Sequence, residues 1–399
     1  MMTDDNRLFR ATLLIAGTTI GGGMLALPIS TGLGGFIPSV FMLLICWAVM
    51  LSTGMLTLEV CLWMKGERHE GEINFITMAS HTLGNFGKWA AWGLYIFLFY
   101  SLVLVYTLGC GSRLALFFGL APSFGPALFL AIFSPFIYAG ARFVGLLNIP
   151  LTFGLMVCYF IFVWIGFSYV DQAKLSYVDW SQSLRALPVI FTAFGFHGSV
   201  PTLVRYVGWN GKTARRAIVL GSLIPLVVYI VWQWLILGII PIKGNGGLTE
   251  ALVNGHDAVQ PLGKQLQMPS LYIVGQFLAF FALITSFLGV SLGLVDFLSD
   301  GLNLKRTRWG ELFLCVLIFI PVLIVAMTYP GFFLIALDYA GGYGGALLLA
   351  MLPILMAWSG RYRMGYVSEW KLPGGKFVLV GLALFVIFEI YCATRLLII

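Results

Sequence analysis

The sequence predicts an all-helical polytopic membrane protein, built as two inverted five-span halves with one further span at the end. Three observations predict it. The chain of 399 residues is 60% hydrophobic and only 10% charged, whereas soluble domains carry about a quarter charged residues. Eleven apolar stretches are long enough to cross a bilayer, for which about 20 residues suffice. The first and the sixth of them are interrupted by glycines in mid-stretch.

The stretches lie near 8–34, 36–64, 86–118, 124–141, 143–169, 183–209, 213–241, 269–298, 310–328, 331–358 and 376–397, with the weakest separations at Gly34-Gly35 and Pro330-Gly331. Arg7 and Arg10 before the first stretch resemble a signal peptide, but the run is too long and more spans follow. Residues 1–7 are placed in the cytoplasm. Of the 23 basic residues, all but Arg113, Lys174, Arg185, Lys243, Lys264 and Arg395 then fall on the cytoplasmic side, as the positive-inside rule asks. An odd count of spans leaves the C-terminus outside. The net charge of +7 sits in short loops and is no sign of nucleic-acid binding. The six cysteines are scattered through apolar segments without a CxxC, so neither a disulfide frame nor a zinc site is indicated.

The first interrupted stretch reads Gly17-Thr18-Thr19-Ile20-Gly21-Gly22-Gly23-Met24-Leu25-Ala26-Leu27-Pro28. Each glycine costs a helix about 1 kcal/mol against alanine, and freed backbone groups find no water in lipid. Two readings fit. The glycines form a close helix-packing face, or the helix is discontinuous, one half ending near Thr18 and the next starting near Gly23, with backbone groups left for a ligand. The sixth stretch repeats the pattern in Phe191-Thr192-Ala193-Phe194-Gly195-Phe196-His197-Gly198-Ser199-Val200-Pro201. An offset of five spans is odd, so the first and sixth run in opposite directions. Residues 8–169 and 183–358 thus form an inverted repeat, and 376–397 is an unpaired span. Two interruptions in register favour discontinuous helices, which in inverted-repeat transporters mark the substrate site.

These two motifs, with Ile284-Thr285-Ser286-Phe287-Leu288-Gly289, resemble the bacterial hydroxy and aromatic amino acid permeases of the amino acid–polyamine–organocation superfamily, over nearly the whole chain. Ser199 in GFHGS is similar to the tyrosine-specific members, whereas tryptophan permeases tend to carry Asn there. The resemblance implies the leucine-transporter-type fold and uptake of an aromatic amino acid, tyrosine foremost, with protons across the bacterial inner membrane. Tryptophan or phenylalanine as substrate and sodium as coupling ion are the alternatives. In relatives, spans 1, 2, 6 and 7 rock against spans 3, 4, 8 and 9, which puts Gly34-Gly35 and Pro201 near hinges. Besides the amino acid, H+ and lipid, no partner or cofactor is implied, and a monomer suffices.

A zwitterion needs donors for its carboxylate and acceptors for its ammonium. No Arg or Lys lies in mid-span, so helix ends must supply both. The N–H groups of Gly21, Gly22 and Gly23 are assigned to the carboxylate. The carbonyls near Ala16, Thr18 and Thr19 and near Phe191 to Phe194 are assigned to the ammonium. Phe194 and Phe196 flank the second interruption at Gly195 and Gly198. Tyr100, Tyr106 and Phe281 are candidates to complete an aromatic slot, although most aromatic side chains in such a chain simply pack. A phenolic hydroxyl on the substrate would want Ser199, Gln233 or Gln276.

Carboxylates within a span are expensive and usually functional. Glu59, Asp338 and His197 are the proton candidates, the histidine because it titrates near neutrality. A structural hydrogen bond is the alternative for His197, and a cap paired with loop arginines is the alternative for Glu59. Glu389, on the unpaired last span, reads as a packing or lipid-edge feature. Thr285 and Ser286 could hold a cation or simply bond back to their own helix. No metal ligand set or catalytic motif is present, so the chain is not read as an enzyme. No span carries the polar stripe a channel needs. A substrate sensor on a transporter scaffold stays open.

Overall fold

The computed structural model describes residues 4–65, 73–265, 269–302, 304, 307–368 and 370–398, and every regular element among them is helical. Arg68, Lys305 and Arg306, counted above as cytoplasmic, lie outside the described residues. The first stretch is two helices, α1 (Asp4–Thr19) and α2 (Gly23–Gly32), bent by 56°. Then come α3 (Phe36–Trp63), α4 (Phe75–Phe118), α5 (Gly125–Tyr138) and α6 (Ala141–Gly166). A short α7 (Gln172–Leu175) and a 3-10 segment (Trp180–Ala186) lead into the sixth stretch. That stretch comprises α8 (Leu187–Ala193), a 3-10 turn at His197–Ser199 and α9 (Val200–Tyr206). α10 (Gly211–Ile239) is followed by the short α11 (Leu248–Val253) and α12 (Leu262–Gln265), then by α13 (Pro269–Gly301) and α14 (Arg308–Thr328). α15 (Phe333–Tyr339) runs through a π-helical segment (Ala340–Met351) into α16 (Leu352–Tyr362), and α17 (Gly375–Ile398) ends the chain.

Nine helical runs among the described residues are long and apolar enough to cross a membrane, and the bent α1–α2 pair makes ten. The expected span at 124–141 is α5, of 14 residues. At 1.5 Å per residue it covers about 21 Å, short of a hydrocarbon core of about 30 Å. α4 starts at Phe75 because the Asn74 side chain accepts the N–H groups of Ile76 and Thr77, and Thr77 answers the Asn74 N–H, a capping box. Gly84, at φ 67°, then kinks the helix into the span proper.

The two interrupted stretches lie at the centre. All ten residues of α2 are buried. In their most apolar windows the runs Trp180–Tyr206 and Phe333–Tyr362 are 72% and 78% buried, against 11% for Ala141–Tyr169 and 22% for α17. α1 packs on α10, α2 packs on α8 and α10, and α13 packs on α4 and α6. The Gly34-Gly35 corner is held by the approach to the sixth stretch. The Asp179 N–H donates to the Gly34 carbonyl at 2.9 Å. Gly35 has φ 87°, and a Cβ there would fall on the Tyr177 carbonyl, so only glycine fits.

Candidate functional site

The two interruptions meet. A Cβ added at Gly23 would lie 2.9 Å from Ala193 Cα, so the start of α2 and the end of α8 are in backbone contact. Gly22 abuts Tyr106 of α4 and Leu283 of α13, at 2.7 and 2.8 Å from its would-be Cβ, and Gly21 abuts the Ser286 hydroxyl. Glycine is thus a steric requirement here as well as a helix breaker. The Met24 and Leu25 N–H groups return to the Gly21 and Gly22 carbonyls at 3.1 Å each. Helical bonding begins there, and the amides of Gly21, Gly22 and Gly23 lack acceptors within the helix, as in any first turn.

The facing carbonyl ends are Thr19, closing α1, and Ala193, closing α8. Both accept from one group, the Tyr229 hydroxyl of α10, at 2.7 and 2.9 Å. Tyr229 is fully buried, and its ring packs edge-on against Phe194, with centroids 5.3 Å apart. A phenol carries one hydrogen, so two helix-end carbonyls with their partial negative charge share one donor. Tyr229 was missed in the sequence reading. The available signal was a tyrosine deep inside an apolar span, one turn before Gln233, far from the interfacial belt where tyrosine gathers.

The remaining predicted residues divide. Ala16 is buried and its carbonyl is used by the Ile20 N–H at 3.0 Å, while the Thr18 and Thr19 hydroxyls bond back to Ile15. The Ala16 carbonyl is thus taken up inside α1, and the helix-end acceptors that share the Tyr229 hydroxyl are Thr19 and Ala193. Tyr106 and Ser286 reach the junction, and Ser286 and Thr285 also donate to their own helix, to Ala282 and Phe281. Gly195 sits between the Thr192 carbonyl and Leu349, and Phe196 covers Gly54 of α3. His197 is fully buried and stacked on Phe196, its Nε2 2.9 Å from Thr53 Oγ1 of α3. Gly198 is exposed and Ser199 partly exposed.

Other candidates turn elsewhere. Tyr100 donates to the Leu317 carbonyl of α14, Phe281 packs over Gly154 of α6, and Phe191 stacks on Phe385 of α17. Gln233 donates to the Thr31 hydroxyl at 2.6 Å, at the far end of α2. The Gln276 amide is closed off from solvent and makes no hydrogen bond. Glu59 is buried and locked by Arg361 of α16, with Nε to Oε1 at 2.8 Å and Nη2 to Oε2 at 2.5 Å, and the Leu372 N–H adds a third bond at 3.1 Å. A second buried ion pair, Arg113 to Asp257 at 2.7 Å, ties the end of α4 to the segment whose Ala258 N–H bonds the Leu25 carbonyl of α2. An arginine partner for Glu59 agrees with the alternative read from the sequence, although Arg361 lies in the last turn of α16 rather than in a loop; the Arg113–Asp257 pair was not read there, because nothing local links residues so far apart in the chain.

Around the junction the burial is lopsided. α2 is wholly enclosed, whereas Gly17 and Thr18 of α1 and Gly198 before α9 keep exposed surface. A Cβ at Gly17 or at Gly198 would touch nothing within 4 Å.

Adjoining helix ends of opposite sense, deep among apolar helices, define a multi-pass membrane transport protein with a polar point at its centre. Its family follows from sequence comparison. The tryptophan/tyrosine permease family model matches residues 4–393, and the chain belongs to that family. It is 33% identical to the tyrosine-specific transport system 1 of Haemophilus influenzae, over 94% of this chain and 93% of the relative. It is 30% identical to the tryptophan-specific transport protein of the same organism, over 96% and 94%. Against the tyrosine permease of Enterobacter agglomerans it is 29% identical, over 84% and 83%. These relatives are permeases, and the chain is a transport protein and not an enzyme.

Proposed function

We propose that the protein is a proton-coupled symporter that imports an aromatic amino acid, tyrosine foremost, by alternating access on a leucine-transporter-type five-plus-five inverted repeat. The observation that carries the reading is the junction of the two interruptions. Free first-turn amides at Gly21 to Gly23 suit a carboxylate, and the Thr19 and Ala193 carbonyls opposite suit an ammonium. Relatives named for both tyrosine and tryptophan support an aromatic side chain, for which Tyr106, beside Gly22, and Phe194, beside Tyr229, supply walls. On this reading α5 counts as the fourth span and α17 as the eleventh, with the N-terminus cytoplasmic. The exposed edge at Gly17, Thr18 and Gly198 then belongs to an inward-open vestibule in a bacterial inner membrane.

The test is uptake of labelled tyrosine into proteoliposomes, inside alkaline and without sodium, with tryptophan and phenylalanine as competitors. Accumulation driven by the pH gradient and blocked by unlabelled tyrosine alone is the expected result. Accumulation that needs sodium would move coupling to Thr285 and Ser286, and accumulation of none of the three would overturn the substrate.

Tyr229→Phe gives a sharper readout of the ammonium position. Without the hydroxyl, both carbonyls are unpaired in the empty site but paired when an ammonium arrives. An unpaired buried acceptor costs about 1–3 kcal/mol, so tyrosine should bind about 5- to 150-fold more tightly while 3-(4-hydroxyphenyl)propionate, which lacks the amine, gains nothing. Equal effects on the two ligands would remove the ammonium from this position.

A further inference from the structure

Among the acidic groups buried in the spans, Asp338 and Glu389 offer only orphaned oxygens. Glu389 is fully buried rather than at a lipid edge, and neither its carboxylate nor Oδ1 of Asp338 makes a hydrogen bond. Arg113 of α4, only 5% exposed, instead makes a set of contacts that leads back to the junction.

Arg113 lies two turns beyond Tyr106 on α4, because seven residues return to nearly the same helix face, about 10 Å further along the axis. Its Nη1 donates to the Gly109 carbonyl at 2.7 Å. Gly109 borders the junction: a Cβ there would lie 2.7 Å from Leu283 Cδ1, and the same leucine is 2.8 Å from the would-be Cβ of Gly22. One side chain thus separates the anchor of the guanidinium from the amides assigned to the substrate carboxylate. Its other arm, Nη2, donates to Asp257 Oδ2 at 2.7 Å. The residue after Asp257, Ala258, donates its N–H to the Leu25 carbonyl in the first turn of α2 at 3.0 Å. The ion pair therefore bears on the α2 side of the junction, whereas the exposed edge at Gly17 and Thr18 lies on the α1 side.

The pair is incomplete. A guanidinium presents its Nε and Nη2 hydrogens as a fork that a carboxylate fills with both oxygens. Asp257 fills half of it. Its Oδ1 is taken by the Val259 N–H at 3.0 Å, and Arg113 Nε is closed off without an acceptor. A buried donor left unpaired is costly. A carboxylate free to approach both hydrogens satisfies the fork better than Asp257, which its own local bond and the Ala258 contact with α2 hold in a one-oxygen pose.

We propose that Arg113 is an outer subsite for the carboxylate of the amino acid, which it holds before that group passes to the amides of Gly21 to Gly23. The inference rests on the import reading, in which the α2 side of the junction faces outward. With the Asp257 segment lifted from α2, the fork is free and takes the substrate carboxylate with both oxygens. As the segment returns, Asp257 reclaims Nη2, and the substrate carboxylate is left to the glycine amides.

The test is the KM for entry of labelled tyrosine or tryptophan into right-side-out membrane vesicles carrying the full chain. Arg113→Gln should raise KM about tenfold or more, the effect of losing hydrogen bonds between charged groups. Arg113→Lys keeps a charge beside Asp257 but has no fork, so it should also raise KM, and it supplies the readout should Arg113→Gln fail to insert. Asp257→Asn removes the competing anion, so KM should fall about fivefold or more, with a lower Vmax because closure loses its ion pair. A pair that is only structural gives another pattern: lysine rescues, and the glutamine and asparagine variants lose rate together. An unmoved KM in Arg113→Lys, or a raised KM in Asp257→Asn, overturns the inference. In inverted vesicles, where substrate meets the exposed edge, KM should stay unchanged in all three variants, and equal shifts at both faces also overturn it. Entry of neither amino acid in the unsubstituted protein overturns the import reading instead.

Discussion

Gly23→Val should abolish uptake while leaving the protein in the membrane. Even the first added carbon would lie 2.9 Å from Ala193 Cα and 3.1 Å from its Cβ, inside the distance that real side chains keep. The neighbour is helix backbone on one side and the first turn of α2 on the other, so neither can swing aside. Overpacking of this kind costs about 1–3 kcal/mol where the surroundings relax. Here relaxation means prising α2 from α8, which separates the amides of Gly21 to Gly23 from the carbonyls of Thr19 and Ala193. A displacement of about 1 Å at a positioning contact can cost about a hundredfold. The expected loss in Vmax/KM for tyrosine uptake is therefore about a hundredfold or more, measured at matched protein level. Gly17→Ala is the control, because a Cβ at Gly17 meets nothing within 4 Å, and it should transport within about twofold of the unsubstituted protein. Equal activity of Gly23→Val and Gly17→Ala would mean that the two interruptions do not form the site.

Glu59→Gln carries the largest expected effect on stability. The carboxylate receives two bonds from Arg361 and one from the Leu372 N–H, and both side chains are nearly inaccessible, at 3% and 1% exposure. Removing one member of a buried pair leaves the other charge uncompensated, at about 3–5 kcal/mol. Glu59→Gln should lower the thermal unfolding midpoint in detergent by several degrees or more. The double substitution Glu59→Gln with Arg361→Met should recover much of the loss, because apolar replacement of both partners is often close to neutral. The same pair bears on mechanism. A carboxylate held by three bonds is a poor carrier for a proton that must come and go, so coupling should survive in the double variant even though Glu59 is gone. Loss of gradient-driven accumulation there, with counterflow kept, would restore Glu59 as a carrier.

The amino-acid sequence by itself determined the environment, the helical class and the two interruptions. Each is a local property: hydropathy over a window, and glycines that a helix in lipid tolerates only for a reason. It also determined the family, since GTTIGGGMLALP and FTAFGFHGSVP are contiguous. The Asn74 capping box and the Gly84 kink were equally local and readable, but a hydropathy window passes over short polar signals. Only the tertiary structure decided which side chains share the junction. Tyr106, Ser286, Leu283 and Tyr229 come from three different helices, and the face each presents depends on how the helices rotate about their axes, which one sequence underdetermines when every face is apolar. For the same reason Tyr100, Phe281 and Phe191 looked equivalent to Tyr106 and Phe194 in the sequence but turn toward α14, α6 and α17. The carboxylates show the limit most clearly. In the sequence Glu59 and Glu389 are each a lone acid in an apolar run, with loop arginines offered as an alternative partner for Glu59 alone. Packing sets Arg361 against one and leaves both oxygens of the other without a hydrogen bond, and the free energy of a buried charge depends on the groups that surround it in space.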